Sequence, residues 1–187
     1  MVKRFLYDNS HVIVHMNIKQ RHFIKSSKIK DLKEEVRKHY NEAFLESVFP
    51  KNCKVEVILT EAGDTLFAIN DQLKFWKSKE HGYLPVLTLV LDEDLGLKKI
   101  VVDMGAIRFV ANGADVMKPG ITDIDPSIKE GDIVKIVDET HGRALAIGKA
   151  MYDAEEMEQK ESGKVVQNIH TIQDSVWEFS KTFSGKI

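Results

Sequence analysis

Along the chain, apolar and polar positions alternate and break in a way that predicts many short strands and one early helix. Residues 12–18, "VIVHMNI", alternate as a strand, and the Asp8-Asn9-Ser10 turn before them follows a first strand near residues 4–7. Ile29, Leu32, Val36 and Tyr40 then recur at helical spacing behind Ser26 or Ser27, either of which suits a helix N-cap. That helix is expected to stop before Pro50 and to turn Lys30, Lys33, Arg37 and Lys38 outward. Strands are predicted over residues 54–60, 65–70 and 84–91, with turns at Ala62-Gly63-Asp64 and His81-Gly82.

A glycine-centred stretch, "DEDLGLKK" (residues 92–99), marks the expected boundary. It divides an α+β domain, residues 1–94, from a second unit, residues 97–187. In that unit "KIVVD" reads as a strand, "MGAIRFVAN" as a short helix, and "ADVM" as a short strand ending at Lys118-Pro119-Gly120. Residues 131–138 and 143–152 read as strands joined by a hairpin at Thr140-His141-Gly142. An acidic helical segment, residues 154–162, closes at Gly163, and "KVVQNIHTIQDSVWEF" supplies one or two closing strands. So many short strands predict a small β-barrel, and an α+β chain as a whole.

Composition adds limits. The 187 residues are 43% hydrophobic and 30% charged, which fits one or two ordinary globular domains. The longest apolar run, "YLPVLTLVL", falls well short of the roughly 20 residues of a membrane helix. No signal-peptide pattern opens the chain, so a cytoplasmic protein without a membrane partner is expected. Cys53 is the sole cysteine, which excludes an internal disulfide and a multi-cysteine zinc site. The net charge of -2 conceals an asymmetry: residues 1–40 hold ten basic groups against four acids, +6, leaving -8 for the remainder. Such an end fits an anionic partner or a solvated lysine-rich helix face, and charge does not separate the two.

Candidate chemistry is sparse. Neither a G-x-x-x-x-G-K-[ST] loop nor a G-x-G-x-x-G opening a helix is present, and Gly105, Gly113 and Gly120 lie too far apart to form one phosphate loop. His11 and His15 share a strand face, with His22 and His39 nearby, yet no third ligand falls at a metal-binding interval. Neither metal nor cofactor is expected. Asp92, Glu93 and Asp94, and separately Asp123 and Asp125, sit in turn-like sequence unsuited to raised carboxyl pKa values. The helix after Asp103 offers more. Asp103 suits its cap and Gly113 its left-handed close. Ala106, Phe109 and Val110 then share one face, and Gly105, Arg108 and Asn112 the other. Gly105 either opens free amides to an anion beside Arg108 or packs closely on a strand, and the wheel favours neither.

Three blocks, "DMGAIRFVANGADVMKPGI", "ALAIGKA" and "GKVVQNIHTIQDSVWEF", resemble the successive signatures of a PUA domain, in order and spacing. That RNA-binding domain is named for pseudouridine synthases and archaeosine transglycosylases. The region before it, with its basic helix and "YLPVLTLVL", is similar to the N-terminal domain of the malignant-T-cell-amplified-sequence proteins and ligatin, in an archaeal form. The resemblance implies an α+β domain packed on a PUA-type β pseudo-barrel. PUA domains often accompany RNA-modifying enzymes, but the other half of this chain shows no catalytic constellation, and no enzyme activity is expected. The resemblance also implies binding of structured tRNA or rRNA, and a role on the small ribosomal subunit in translation initiation, reinitiation or recycling. Carried over by residue, it places RNA at Gly105, Ala106, Arg108, Met117, Lys118, Pro119, Gly120 and His170. Lys30, Lys33, Arg37 and Lys38 would form a secondary basic face, and a density-regulated-protein-like partner is implied for eukaryotic relatives. Ile107, Phe109, Val110, Val116 and Ile121 would be core, Ile147 and Gly148 barrel packing, and Trp177 a core or closing residue rather than a base-stacking platform. The other reading is an RNA-binding accessory subunit of a tRNA- or rRNA-modifying enzyme.

Overall fold

The computed structural model describes residues 16–184. Five antiparallel strands pair in chain order to form a first sheet: β1 (Ile18–Phe23), β2 (Val55–Thr60), β3 (Thr65–Ile69), β4 (Gln72–Ser78) and β5 (Gly82–Pro85). Between β1 and β2 run α1 (Ser26–Arg37) and α2 (Glu42–Val48), and α3 (Leu87–Asp92) follows β5. Leu32 and Val36 of α1 and Phe44, Leu45 and Val48 of α2 share one hydrophobic core with Ile58, Leu66 and Phe75 of the sheet. Tyr40, between the helices, donates from its hydroxyl to the Tyr83 carbonyl at 2.6 Å, and burial pushes its phenol pKa up.

The second sheet contains β6 (Lys99–Val102), β7 (Val116–Met117), β8 (Ile121–Ile124), β9 (Ile133–Asp138), β10 (Ala144–Ala150) and β11 (Lys164–Thr171). Its order is β7-β11-β10-β9-β6-β8, and only the β6–β9 pair is parallel. The edges β7 and β8 are adjacent in sequence, joined by one 3-10 turn, Lys118–Gly120. That turn brings the two edges together and leaves the sheet nearly closed, as a barrel-like body with its own core of Ile100, Val134, Ile136, Val165 and Val166. Gly148 permits the close approach of β10 to β11 where their register shifts. A Cβ there would lie 2.5 Å from Val166 Cγ1 and 2.8 Å from the Gln167 carbonyl. Three further helices are α4 (Met104–Ala111), α5 (Ala154–Gln159) and α6 (Ser175–Thr182).

Several expectations are corrected. The early helix is two helices, broken at residues 38–41, with Asn41 capping the second through a bond from Phe44 N. Neither expected serine caps α1, since Lys25 holds that position without a side-chain bond. Residues 84–91 do not form one strand: β5 ends at Pro85 and α3 begins at Leu87. A continuous apolar run suits a two-sided buried helix as well as a strand, and Leu87, Leu89 and Val90 are all buried. The closing segment is one strand followed by α6, whose Asp174 accepts from Trp177 N at 2.8 Å as an N-cap. Trp177 thus sits partly buried on a helix, packed on the first core. Strands β1, β4 and β8 were not anticipated. The expected strand near residues 4–7 lies outside the described residues, as do residues 12–15 of the one over 12–18, whose last residue, Ile18, begins β1.

The two sheets are tied together at the end of β11. His170 is 0% exposed. Its Nε2 lies 3.0 Å from Leu87 N, and its Nδ1 lies 2.6 Å from Asp174 Oδ2. A backbone N–H can only donate, so Nε2 accepts and Nδ1 carries the proton that it gives to Asp174. The ring therefore caps α3, whose own N-cap residue Val86 has no side chain to do so. Burial favours the neutral Asp174 carboxyl, but the bonds from His170, Trp177 N and Thr171 N outweigh it and hold its pKa below the ordinary carboxylate value. Val176 of α6 enters the first core, and the Arg21 guanidinium lies 5.1 Å over the Phe183 ring while bonding Glu56 at 2.6 and 2.9 Å. His170→Ala is expected to lower stability by about 3 kcal/mol in urea unfolding, because it leaves a buried N–H unpaired and opens a cavity. A loss within about 0.5 kcal/mol would show that the ring does not hold this junction.

Candidate nucleic-acid interface

Helix α4 packs on β10 and β11, with its N-terminal end against the Lys118–Gly120 turn that joins β7 to β8. Asp103 accepts from Ala106 N at 2.8 Å and starts the helix, and Gly113 ends it at φ 90° with its N–H on the Val110 carbonyl. The helix is held to the turn by Asp103 N donating to Gly120 O at 2.9 Å. A Cβ on Gly120 would stand 3.0 Å from that of Ala106, so a larger residue would push the helix away. Asn168 of β11 fixes the other end, donating from Nδ2 to the Val110 and Ala114 carbonyls at 2.9 and 3.0 Å. Sequence reading missed Asn168, because its partners lie more than fifty residues away.

Between α4 and the β7–turn segment runs an open groove of about 580 Å³. Val110 and Val116 are its buried members, and Phe109, 66% exposed, and Met117, 50% exposed, are its accessible ones. Phe109 is therefore not core: its neighbour Val110 takes the buried position, and Phe109 faces solvent at the groove. Exposed large apolar side chains around a concavity mark a binding surface. Lys164 also lines the groove, 3.1 Å from Asp115.

Of the residues expected to touch RNA, Gly105, Ala106, Met117, Pro119 and Gly120 line this groove together. Arg108 is exposed on α4 beside Phe109 but is not a lining residue. Lys118 turns its ammonium to Glu158 at 3.1 Å. His170 does not belong to the surface at all, since its ring is fully buried between the sheets. Around the α4 N-terminus, Glu139 Oε1 accepts from Met104 N at 3.0 Å and Asp103 from Ala106 N. Two carboxylates already occupy that end of the helix dipole, so a phosphate is disfavoured there. The groove is instead suited to an apolar or aromatic moiety, with Arg108 available for charge and Lys164 already paired with Asp115.

The expected secondary face on α1 is largely neutralised by its own acids. Arg37 bonds Glu34 and Glu42, and Lys38 lies 2.6 Å from Glu35. These bonds raise the Arg37 and Lys38 pKa values and lower that of Glu35. Lys33 donates to the Phe49 carbonyl at 3.2 Å and lies over its ring. Lys30 alone of the four is exposed without such a partner among the described residues. His11 and His15 lie outside the described residues. Among those described, no cluster of three or more histidine, cysteine or carboxylate residues is placed to hold a metal, and no helix is long and apolar enough to cross a membrane.

The barrel-like second sheet with α4 packed on it defines a protein of the PUA class. Residues 98–172 match the PUA domain and residues 14–92 the Pre-PUA-like domain. The chain belongs to the family of the malignant T-cell-amplified sequence proteins and translation machinery-associated protein 20. It is 31% identical to translation machinery-associated protein 20 of Saccharomyces cerevisiae, over 96% of this chain and 99% of the relative. It is 30% identical to malignant T-cell-amplified sequence 1 of Rattus norvegicus, over 82% and 87%. An uncharacterized protein of Methanocaldococcus jannaschii is 34% identical over 88% of this chain and 99% of its own length. The crystal structure of a hypothetical protein from Pyrococcus horikoshii superposes with a TM-score of 0.74 at 33% identity, covering 86% of this chain and 99% of that one.

Asn168→Ala is expected to cost about 1–3 kcal/mol and to speed amide hydrogen exchange selectively at residues 110–115. Uniform protection in the variant would show that Asn168 does not hold α4 in place.

Proposed function

We propose that this chain is a non-enzymatic RNA-binding factor of translation, acting on the small ribosomal subunit in initiation, reinitiation or recycling. The observation that carries the proposal is the apolar groove between α4 and the Lys118-Pro119-Gly120 turn, set in a PUA domain with Arg108 and Lys164 beside it. A nucleotide offers an apolar base face and an anionic phosphate, so a groove with Phe109 on it and a cation beside it suits an unpaired nucleotide. The site residues are thus Gly105, Ala106, Phe109, Met117, Pro119 and Gly120 for the base, and Arg108 for phosphate. Lys118, held by Glu158, contributes through its backbone position in the turn.

The translational assignment rests on kinship along nearly the whole chain with a yeast protein named for its association with the translation machinery. In this reading residues 97–187 carry the RNA and residues 1–94 dock on the subunit or on a density-regulated-protein-like partner, in the cytoplasm. The RNA is structured tRNA or rRNA.

Two variants test the groove. Arg108→Glu and Phe109→Ala are each expected to weaken binding of a labelled tRNA transcript or of purified small subunits by about tenfold. Both side chains are exposed, so unfolding stability should stay within about 0.5 kcal/mol. Sedimentation of the protein with small subunits, lost in both variants, is the predicted result. Undiminished binding in both would remove the RNA from this groove, and co-purification with an RNA-modifying enzyme instead of subunits would favour the accessory-subunit reading.

A further inference from the structure

A second groove, of about 530 Å³, opens in the first half of the chain where β1 ends, α1 begins and β2 begins. Ile24 N donates to Val55 O at 3.0 Å, and this pairing places Lys25 and Lys54 in the same groove wall. Phe23 on β1, the outer strand among the described residues, is 51% exposed and joins the lining, with Ile24, Ile29 and Cys53 as its other apolar members.

Charge is concentrated there. Residues 16–30 contain Lys19, Arg21, Lys25, Lys28 and Lys30 and no acid, and residues 50–55 contain Lys51 and Lys54 and no acid. The first acids that follow are already engaged: Asp31 lies 3.2 Å from Lys28, and the buried Glu56 is bonded by Arg21. Lys25, Lys30, Lys51 and Lys54 have no acid partner among the described residues, unlike Arg37 and Lys38 at the far end of α1. Among the described residues, these unpaired basic groups gather at the start of α1 and the neighbouring start of β2. In a chain of net charge -2, such an excess attracts a polyanion. The exposed ring beside the ammonium groups separates nucleic acid from an acidic protein, because cationic rims with an accessible aromatic are the elements of single-strand binding.

We propose that this groove takes a single-stranded segment of RNA, with phosphates on Lys25 and Lys54 and a base against Phe23. It rests on the RNA-binding reading above, and it makes the chain a two-point RNA clamp. The test is fluorescence anisotropy of the full chain with a labelled 12-nucleotide oligoadenylate, at several KCl concentrations. Lys25→Gln/Lys54→Gln should weaken binding about tenfold at low salt and flatten the dependence of log K on log salt by about 1.4, at roughly 0.7 per lost single-strand phosphate contact. Phe23→Ala should weaken binding about tenfold with the slope unchanged.

No binding by the wild type, or unchanged affinity and slope in the lysine double variant, would overturn the proposal. So would an acidic glutamate–leucine peptide that binds as tightly as the RNA and is lost in the same variant, which would give the groove to a protein. The PUA reading is tested apart from this, since Arg108→Glu is scored on tRNA and small subunits. Loss there with no effect of the lysine variant would keep the first site and discard the second.

Discussion

A β-sheet leaves two edges of unpaired backbone groups, and in the second half of this chain a three-residue turn deals with both. Lys118-Pro119-Gly120 joins β7 to β8, the two outermost strands, so the edges are brought together covalently. β7 pairs with β11 and β8 with β6, so the seam lies between two strands that each have one partner. Helix α4 packs beside the turn, fixed at Gly120 by a backbone bond and at Asn168 by a side-chain amide. What remains between helix and turn is the groove. The candidate binding site is thus a consequence of how the barrel closes.

A second constraint sets the relation of the halves. Helix α3 begins without a capping side chain of its own, and the imidazole of His170 supplies the acceptor from across the junction. Because Asp174 holds the other ring nitrogen and also caps α6, one carboxylate fixes the tautomer, the end of β11 and the start of the last helix. Arg21, stacked over Phe183 and paired with Glu56, adds a further tie between β1 and the segment after α6. The first sheet and the barrel therefore meet through directional bonds as well as apolar contact, which gives the basic groove and the PUA groove a fixed relation.

How much of this was legible depended on whether the determinants were local. Helix α4 could be read whole, since Asp103 and Gly113 are its own cap and stop. β2, β3, β9 and β10 were readable from their apolar pattern and turns. Helix α3 was not, because its cap lies 83 residues away and its apolar run suits either structure. Helix α6 was missed although its signal, Asp174 before Ser175-Val176-Trp177, was present; it was absorbed into the preceding strand's apolar run. At the site, the wheel placed Phe109 with Val110, but α4 buries Val110 and Ala111, and Phe109 stands about 200° from Ala111 on the open side. His170 was assigned to the surface by carry-over from the resembling family, and nothing local in the sequence shows that its face of β11 is buried at the junction. The basic end was visible as charge, whereas its centre was not, since pairing with Glu34, Glu35 and Glu42 is a matter of geometry.

The central claim is that RNA enters the groove between α4 and the turn. Two methionines report on it: Met117 lines the groove and Met104 is the exposed first residue of α4, whereas Met157 is fully buried in the barrel core. Methyl spectra of methionine-labelled protein, titrated with a tRNA transcript, should show the Met117 and Met104 signals shifting together while Met157 stays in place. Failure of the RNA to associate, or association that leaves Met117 and Met104 unmoved, would contradict the account.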